Sequence, residues 1–450
     1  MRVRKLMVQG AAIALCVGAL FSEGMAQVAP APAPAAPASD APVTTTTPGV
    51  DVPAPVDVPP APAADPQVQR GEYLAQLGNC VSCHTVHGGE PFAGGLPFKT
   101  PYNFLGTLYS TNITPDEETG IGRWSEAEFV KAMHTGQGPN RSFFPAFPYT
   151  SFTKVTEEDA KAIYAYLRTV KPVKVEPPDN SFIFSFRFGM KIWNALFFDE
   201  GRFVPDSSQS EEWNRGAYLV NGLGHCSACH TPRNVFLAEK SDQHLWGAVL
   251  PDVVAEGEYR PWFAVNLTQT KNGGLAAWSV EEMVRYLRGG HNRFGGIFGP
   301  MNEVVANSLR HLTPEDARAM AVYLKSLPPA PDTPAMQPAM TEEERTAAEA
   351  LYKKHCEECH AASGRGGFMK APPIAGSAIA QGRDPASLIN IILYGAEPAK
   401  GLNPPGAWET MRSFRDRMND EEVAAVVNYV RSSWNNTGSR VTAQDIAKHR

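Results

Sequence analysis

Three short stretches carry residues whose types and spacing support chemistry: Cys80-Val81-Ser82-Cys83-His84, Cys226-Ser227-Ala228-Cys229-His230 and Cys356-Glu357-Glu358-Cys359-His360. Two thiols three residues apart on one helical turn can each form a thioether with a haem vinyl group. The next residue then brings an imidazole to the iron as proximal ligand, so C-x-x-C-H is the attachment signature of c-type haem. A single copy would also suit a redox dithiol or part of a zinc site. Zinc would need further ligands at suitable spacing, and six of the seven cysteines are already inside the three motifs. The triple occurrence predicts three covalently bound haem c groups, with Cys80, Cys83, Cys226, Cys229, Cys356 and Cys359 as thioether donors and His84, His230 and His360 on iron.

The elements that must position these residues recur with them. The first cysteines stand at 80, 226 and 356, which are 146 and 130 residues apart, and the flanking sequence repeats. Each copy opens with an apolar helix: Arg70-Gly71-Glu72-Tyr73-Leu74, Arg215-Gly216-Ala217-Tyr218-Leu219 and Ala350-Leu351-Tyr352. A middle helix follows from Trp124-Ser125 to Met133, Trp278-Ser279 to Leu287, and Pro385 to Tyr394. Each copy closes with an amphipathic helix behind a capping box or a close variant, Thr156 with Asp159, Thr313 with Asp316 and Asn419 with Glu422. Met418, beside that last cap, reads as a hydrophobic staple. The expected fold is all-α: three tandem cytochrome c domains, each a small helical fold around one covalently attached haem, at 67–178, 209–330 and 341–437.

The remaining segments read as address, spacer and connectors. Residues 1–26 have a basic start and an apolar run that holds Cys16, the seventh cysteine. The small-residue end Gly24-Met25-Ala26 completes the pattern of a cleaved export signal. Residues 27–66 hold 12 prolines in 40 positions and no Lys or Arg, the composition of a disordered tether. A Pro-rich linker spans 331–340, and a polar tail spans 438–450. The connector at 179–208 is different, because Phe182, Phe184, Phe186 and Phe188 alternate before Met190, Ile192, Trp193, Leu196, Phe197 and Phe198. Such a segment either wedges between the first two domains or meets a membrane, a partner or a quinone.

Methionine thioether is the usual sixth ligand of iron in cytochromes c. Met301, in Gly299-Pro300-Met301, and Met411, in Glu409-Thr410-Met411-Arg412, are the expected ligands of the second and third irons, each on a loop before the closing helix. In the first copy Phe147 occupies that slot, and phenylalanine cannot ligate iron. Met133 aligns with Leu287 and therefore reads as core. His134 aligns with Arg288 and reads as solvated, which leaves Met190 as a weak candidate.

Residues 67–437 resemble the tri-haem cytochrome c subunits of bacterial membrane-bound dehydrogenases that oxidise alcohols, aldehydes, gluconate or other sugars. The resemblance rests on the Arg-Gly-x-Tyr-Leu segments, Pro91-Phe92-Ala93-Gly94-Gly95-Leu96, Ser110-Thr111-Asn112-Ile113-Thr114-Pro115-Asp116 and Gly299-Pro300-Met301. It implies a periplasmic subunit, peripheral on the inner membrane. Such a subunit takes electrons from a catalytic subunit (quinoprotein, flavoprotein or molybdenum hydroxylase) and passes them to ubiquinone or a similar membrane quinone. Pro145-Ala146-Phe147-Pro148-Tyr149 resembles members paired with molybdenum-hydroxylase aldehyde dehydrogenases. Two other classes stay open: an independent periplasmic carrier, and a haem enzyme using an open first iron. The chain shows no nucleotide-binding glycine fingerprint, hydrolase elbow or basic run for nucleic acid, and its net charge is −6. By itself it is expected to have no catalytic residues for substrate.

Overall fold

The computed structural model describes residues 65–99, 106–180, 187–253, 259–367, 370–397 and 408–450. The export signal, nearly all of the Pro/Ala tether, and Phe182, Phe184 and Phe186 lie outside them. The scaffold is three pairs of crossing helices, each made from the first and last helix of one repeat. Helix α1 (Pro66–Leu77) is capped by the Asp65 carboxylate and has proline in its first turn. The middle helix α2 (Glu126–Thr135) starts at a complete Ser125–Glu128 capping box. The closing helix α3 (Glu157–Leu167) then packs across α1. They cross at Gly71, where an added Cβ would stand 1.9 Å from the Ala162 carbonyl oxygen.

After a connecting helix α4 (Arg187–Phe197), the second repeat builds the same object. Its helices are α5 (Glu211–Asn221), α6 (Val280–Gly289), α7 (Pro300–Asn307) and α8 (Pro314–Ser326). Here α5 and α8 cross at Gly216, whose added Cβ would again stand 1.9 Å from a carbonyl oxygen, that of Ala319. The third repeat comprises α9 (Glu342–His355), α10 (Ala386–Tyr394) and α11 (Asp420–Ser432). Tyr352 of α9 is buried against Tyr429 and Trp434. Met418, directly before the Asn419 cap, is buried in the core of this third pair, as a staple should be.

The all-α expectation is met by this scaffold but not by every connection. Three antiparallel two-stranded hairpins are present: β1 (Pro97–Lys99) with β2 (Thr107–Tyr109), β3 (Ala248–Val253) with β4 (Tyr259–Ala264), and β5 (His291–Asn292) with β6 (Gly295–Gly296). The polar tail is not a free extension either. Residues Ala443–Ala447 form a helix, α12, with a Thr442–Asp445 capping box. Its Ile446 is fully buried, and the Arg450 side chain reaches Asp420 and the carbonyls of Arg415 and Met418. The Pro-rich linker also packs down, burying Thr333 and Met336.

The first and second repeats share one continuous core, whereas the third has its own. The shared core is locked by an exchange of partners. Arg70 binds Asp159 within the first repeat (Nε–Oδ1 2.7 Å), and the other oxygen of Asp159 accepts from Tyr218 of the second repeat at 2.6 Å. Arg215 binds Asp316 within the second repeat (2.7 Å on both oxygens), and Oδ2 accepts from Tyr73 of the first repeat at 2.6 Å. The two aspartates were expected to close capping boxes. Their backbone N–H groups do donate to Thr156 and Thr313, but their carboxylates turn to arginine and tyrosine. The free N–H groups of Thr156 and Thr313 then donate to the hydroxyls of Tyr218 and Tyr73, at 3.2 and 3.4 Å. A tyrosine from the neighbouring repeat thus completes each cap.

Connecting helix α4 lies across both repeats, as the wedge reading expects. Tyr149 donates to Asn194 at 2.6 Å, Trp193 Nε1 donates to the Phe236 carbonyl at 2.9 Å, and Phe197 stacks on Phe236. Its Ile192 and Leu196 remain about half exposed (49% and 51%), beside exposed Val235 and Phe236. Among the described residues, no helix is long and apolar enough to cross a membrane.

The exchange makes a prediction about acid stability. Burial works to raise the Asp316 carboxyl, but its hydrogen bonds to Arg215 and Tyr73 prevail and hold it below the usual carboxylate range. A depressed carboxyl contributes stability above its unfolded value, about 3.9, that is lost as pH falls through the lower folded value. Asp316→Asn is therefore expected to cost about 1.5–3 kcal/mol near neutral pH, with its deficit against the native chain shrinking below pH ~4. Denaturant titrations at several pH values measure this, and a deficit independent of pH contradicts it.

Candidate haem-attachment sites

Each motif folds as a short turn that closes on itself, and the same bond recurs in all three. The backbone N–H of His84, His230 and His360 donates to the carbonyl of the first cysteine of its motif, at 3.0, 2.9 and 2.9 Å. The carbonyl of each histidine in turn receives a glycine N–H: Gly94 at 2.7 Å, Gly247 at 2.8 Å and Gly366 at 3.0 Å. All three glycines have positive φ, between 75° and 86°. A side chain is disfavoured in that region, and at Gly94 an added Cβ would also stand 2.4 Å from the Thr111 backbone.

The imidazoles are aimed by one common device. His84 Nδ1 donates to the Thr111 carbonyl at 2.6 Å, His230 Nδ1 to Val265 at 2.6 Å, and His360 Nδ1 to Pro372 at 3.1 Å. A carbonyl can only accept, so the proton is fixed on Nδ1 and Nε2 keeps its lone pair for a metal. Burial lowers the pKa of all three histidines and so favours the neutral ring that ligation requires.

The cysteines do not look like redox or zinc thiols. Burial pushes Cys80, Cys83, Cys226 and Cys356 up to about 12, and Cys229 is also raised. Redox C-x-x-C pairs are instead held low, as thiolates. Among the described residues, no three His, Cys, Asp or Glu side chains converge as a metal cage. The first motif opens on a cavity of about 1250 Å³, lined by Cys80, Cys83 and His84 together with Met133, Phe147 and His225. That space is larger than an ordinary cofactor pocket of roughly 300–1,000 Å³. Five thiols that burial disfavours as thiolates, neutral aimed imidazoles and a large cavity at the first motif fit haem c.

The expected sixth ligands fall differently. Met301 is not on a loop. It sits in the first turn of α7, behind Gly299 with φ 56°, and packs partly buried against the shared core. Met411 is held by a backbone bridge to Ala396 in both directions, at 2.9 and 3.0 Å, against the third core. Met190 is buried in α4 but does not line the first cavity. Met133 is buried in the shared core, as its reading expects, and also lines that cavity, while His134 is buried rather than solvated. The residue that sequence reasoning missed is His225, which belongs to the second motif's approach and lines the first motif's cavity. The only signal was a histidine directly before Cys226.

Comparison with known proteins bears on these sites directly. The family model described as cytochrome c matches residues 68–171 and 331–434, the first and third repeats. The chain is 40% identical over 412 residues to the gluconate 2-dehydrogenase cytochrome c subunit of Pantoea cypripedii, covering 86% of this chain and 90% of that protein. It is 36% identical over 402 residues to the cytochrome c subunit of the quinone alcohol dehydrogenase of Gluconobacter oxydans, covering 86% and 83%. It is also 32% identical over 430 residues to the fructose dehydrogenase cytochrome subunit of Gluconobacter japonicus, covering 87% and 84%. With three C-x-x-C-H motifs the chain carries three covalently bound haem c groups, and it belongs to the family of cytochrome c subunits of bacterial dehydrogenases.

Proposed function

We propose that this chain is the electron-transfer subunit of a periplasmic dehydrogenase complex. It would receive electrons from a separate catalytic subunit that oxidises an alcohol, aldehyde or sugar acid, and deliver them to a membrane quinone. The observation that carries this reading is the joining of three like-built haem sites, the first two by one core and the third by direct contacts. Ser387 in α10 pairs with both the N–H and the carbonyl of Phe263 in β4, at 2.9 and 3.0 Å. Trp408 seats on Gly296 and meets the ring of His291. The relatives named above support a catalytic partner. Exposed Ile192, Leu196, Val235 and Phe236 support peripheral membrane contact, since apolar side chains beside a tryptophan suit the bilayer interface.

Haem c, when bound, supplies one-electron chemistry at iron. The pairs Cys80/Cys83, Cys226/Cys229 and Cys356/Cys359 would hold it, with His84, His230 and His360 as iron ligands and Met301 and Met411 as further iron ligands at the second and third sites. The three carbonyls that accept from Nδ1 orient the rings and raise their basicity as ligands. Burial around an iron tunes its potential. The first site differs because Phe147 offers no lone pair, and that favours a second reading in which its iron is open to small ligands.

Replacing both cysteines of one motif with alanine is expected to lower the mass of the mature protein by one haem, for each motif in turn. A mass unchanged in any of the three variants sinks that attachment site. The purified chain alone is expected to show no turnover with alcohols, aldehydes or sugars. It should be reduced once the catalytic partner and substrate are added, and reoxidised by a quinone analogue. Turnover by the isolated chain would contradict the relay. Phe147→Met is expected to shift one of the three midpoint potentials and to abolish carbon monoxide binding at one ferrous haem. Three unchanged potentials would show that another residue already ligates the first iron.

A further inference from the structure

The first and second motifs approach each other across the shared core, and each is contacted by a side chain of the other repeat. Ser82 of the first motif receives Asn307 of the second repeat at 2.9 Å, and Ser227 of the second motif stands 3.5 Å from Ser151 of the first. One further contact joins the two approaches to the motifs directly. The residues before the first cysteine, Asn79 and His225, both adopt left-handed backbone, with φ 51° and 33°. That conformation is uncommon for non-glycine residues and marks sites where the surroundings dictate the turn. Asn79 closes on its own motif, accepting from Ser82 at 2.7 Å. His225 crosses instead. Its Nε2 donates to the Gly78 carbonyl at 3.3 Å, its ring meets Phe152 edge to face, and it lines the first cavity.

Gly78 is itself against the first attachment cysteine, since a Cβ built there would stand 3.4 Å from Cys80 Sγ. The result is a short continuous route between the two motifs. It runs from Cys80 through Asn79 and Gly78, across the hydrogen bond to the His225 ring, and by one peptide bond to Cys226. In the third repeat the corresponding His355 simply continues α9 into its motif.

We propose that His225 is the positioning residue that couples the first and second haem sites, holding their attachment edges in register and forming the bonded bridge between them. The idea rests on the assignment of haem to Cys80/Cys83 and Cys226/Cys229. Electron exchange through protein weakens steeply with gap and with breaks in bonding, so an added through-space step should be slow. The hydrogen bond at 3.3 Å and the edge-to-face contact with Phe152 both hold the ring at this crossing.

The test compares His225→Phe, which keeps a ring but loses the donor, with His225→Gln, which keeps a donor on a flexible side chain. After confirming three haems by mass, the rate of internal equilibration between the first two sites is followed by rapid photoreduction. In the native protein with labelled histidine, the His225 ring resonances are followed through a stepwise oxidation. The expected results are a several-fold slower equilibration in His225→Phe, with partial recovery in His225→Gln. Native His225 resonances should be displaced when either the first or the second site becomes oxidised. An unchanged rate in His225→Phe overturns the proposal, as does a ring signal that senses only one of the two sites. A variant lacking one haem would instead count against the site assignment, which the mass reads separately.

Discussion

The exchange of tyrosines between two arginine-bound aspartates is the constraint on which the first two sites depend. Asp159 and Asp316 are both largely buried, and each is satisfied by its own repeat's arginine and the other repeat's tyrosine. Removing either partner would leave a desolvated carboxylate short of a donor, which is costlier than the net value of the bond. The same tyrosines finish the helix caps at Thr156 and Thr313. Closing helix, opening helix and neighbouring repeat are therefore set by one network. The glycine crossings at Gly71 and Gly216 then bring each attachment turn to the shared face.

Within that frame the chemistry of each site is local. The turn after each histidine uses a positive-φ glycine to return its N–H to the histidine carbonyl, while a distant carbonyl takes the Nδ1 proton. In the first and second repeats that carbonyl is brought by the strand just ended, β2 before Thr111 and β4 before Val265. Two of the three hairpins absent from the all-α expectation, β1 with β2 and β3 with β4, thus have a specific task. They deliver the acceptor that fixes the imidazole. In the third repeat Pro372 supplies it from a loop, and the contact is longer, 3.1 Å against 2.6 Å.

Much of this was legible because it is local. The attachment motifs, the opening, middle and closing helices, and the cap at Asn419 follow from spacing and capping chemistry over a few residues. What was not legible depends on partners far along the chain. Asp159 and Asp316 have capping-box spacing, so a local reading assigns their carboxylates to the cap, and only packing reveals the tyrosines. The tail at 438–450 is polar in composition, yet Ile446 and Arg450 find sites on α11 and its preceding loop that sequence does not announce. His225 escaped because its target, Gly78, offers only a backbone carbonyl.

The slot in which a methionine was expected in the first repeat, Phe147, belongs to a larger aromatic cluster. Phe147 stands 5.5 Å from both Phe143 and Phe152, and 6.5 Å from Tyr149. Tyr149 carries the cluster outward, to Asn194 at 2.6 Å and to the ring of Phe198 at 5.1 Å in the connector. Phe152 carries it inward to His225 at 5.6 Å. The aromatic residues of the connector and the phenylalanine in the ligand slot are therefore two ends of one packed chain of rings. This explains why Met190, placed in the same connector, is buried without reaching the first cavity, since its helix is held by ring contacts rather than by a metal site. It also links the two features that set this repeat apart. Phe147, in the slot where a methionine was expected, packs on Phe152, the ring that His225 meets, so the two features belong to one set of side chains.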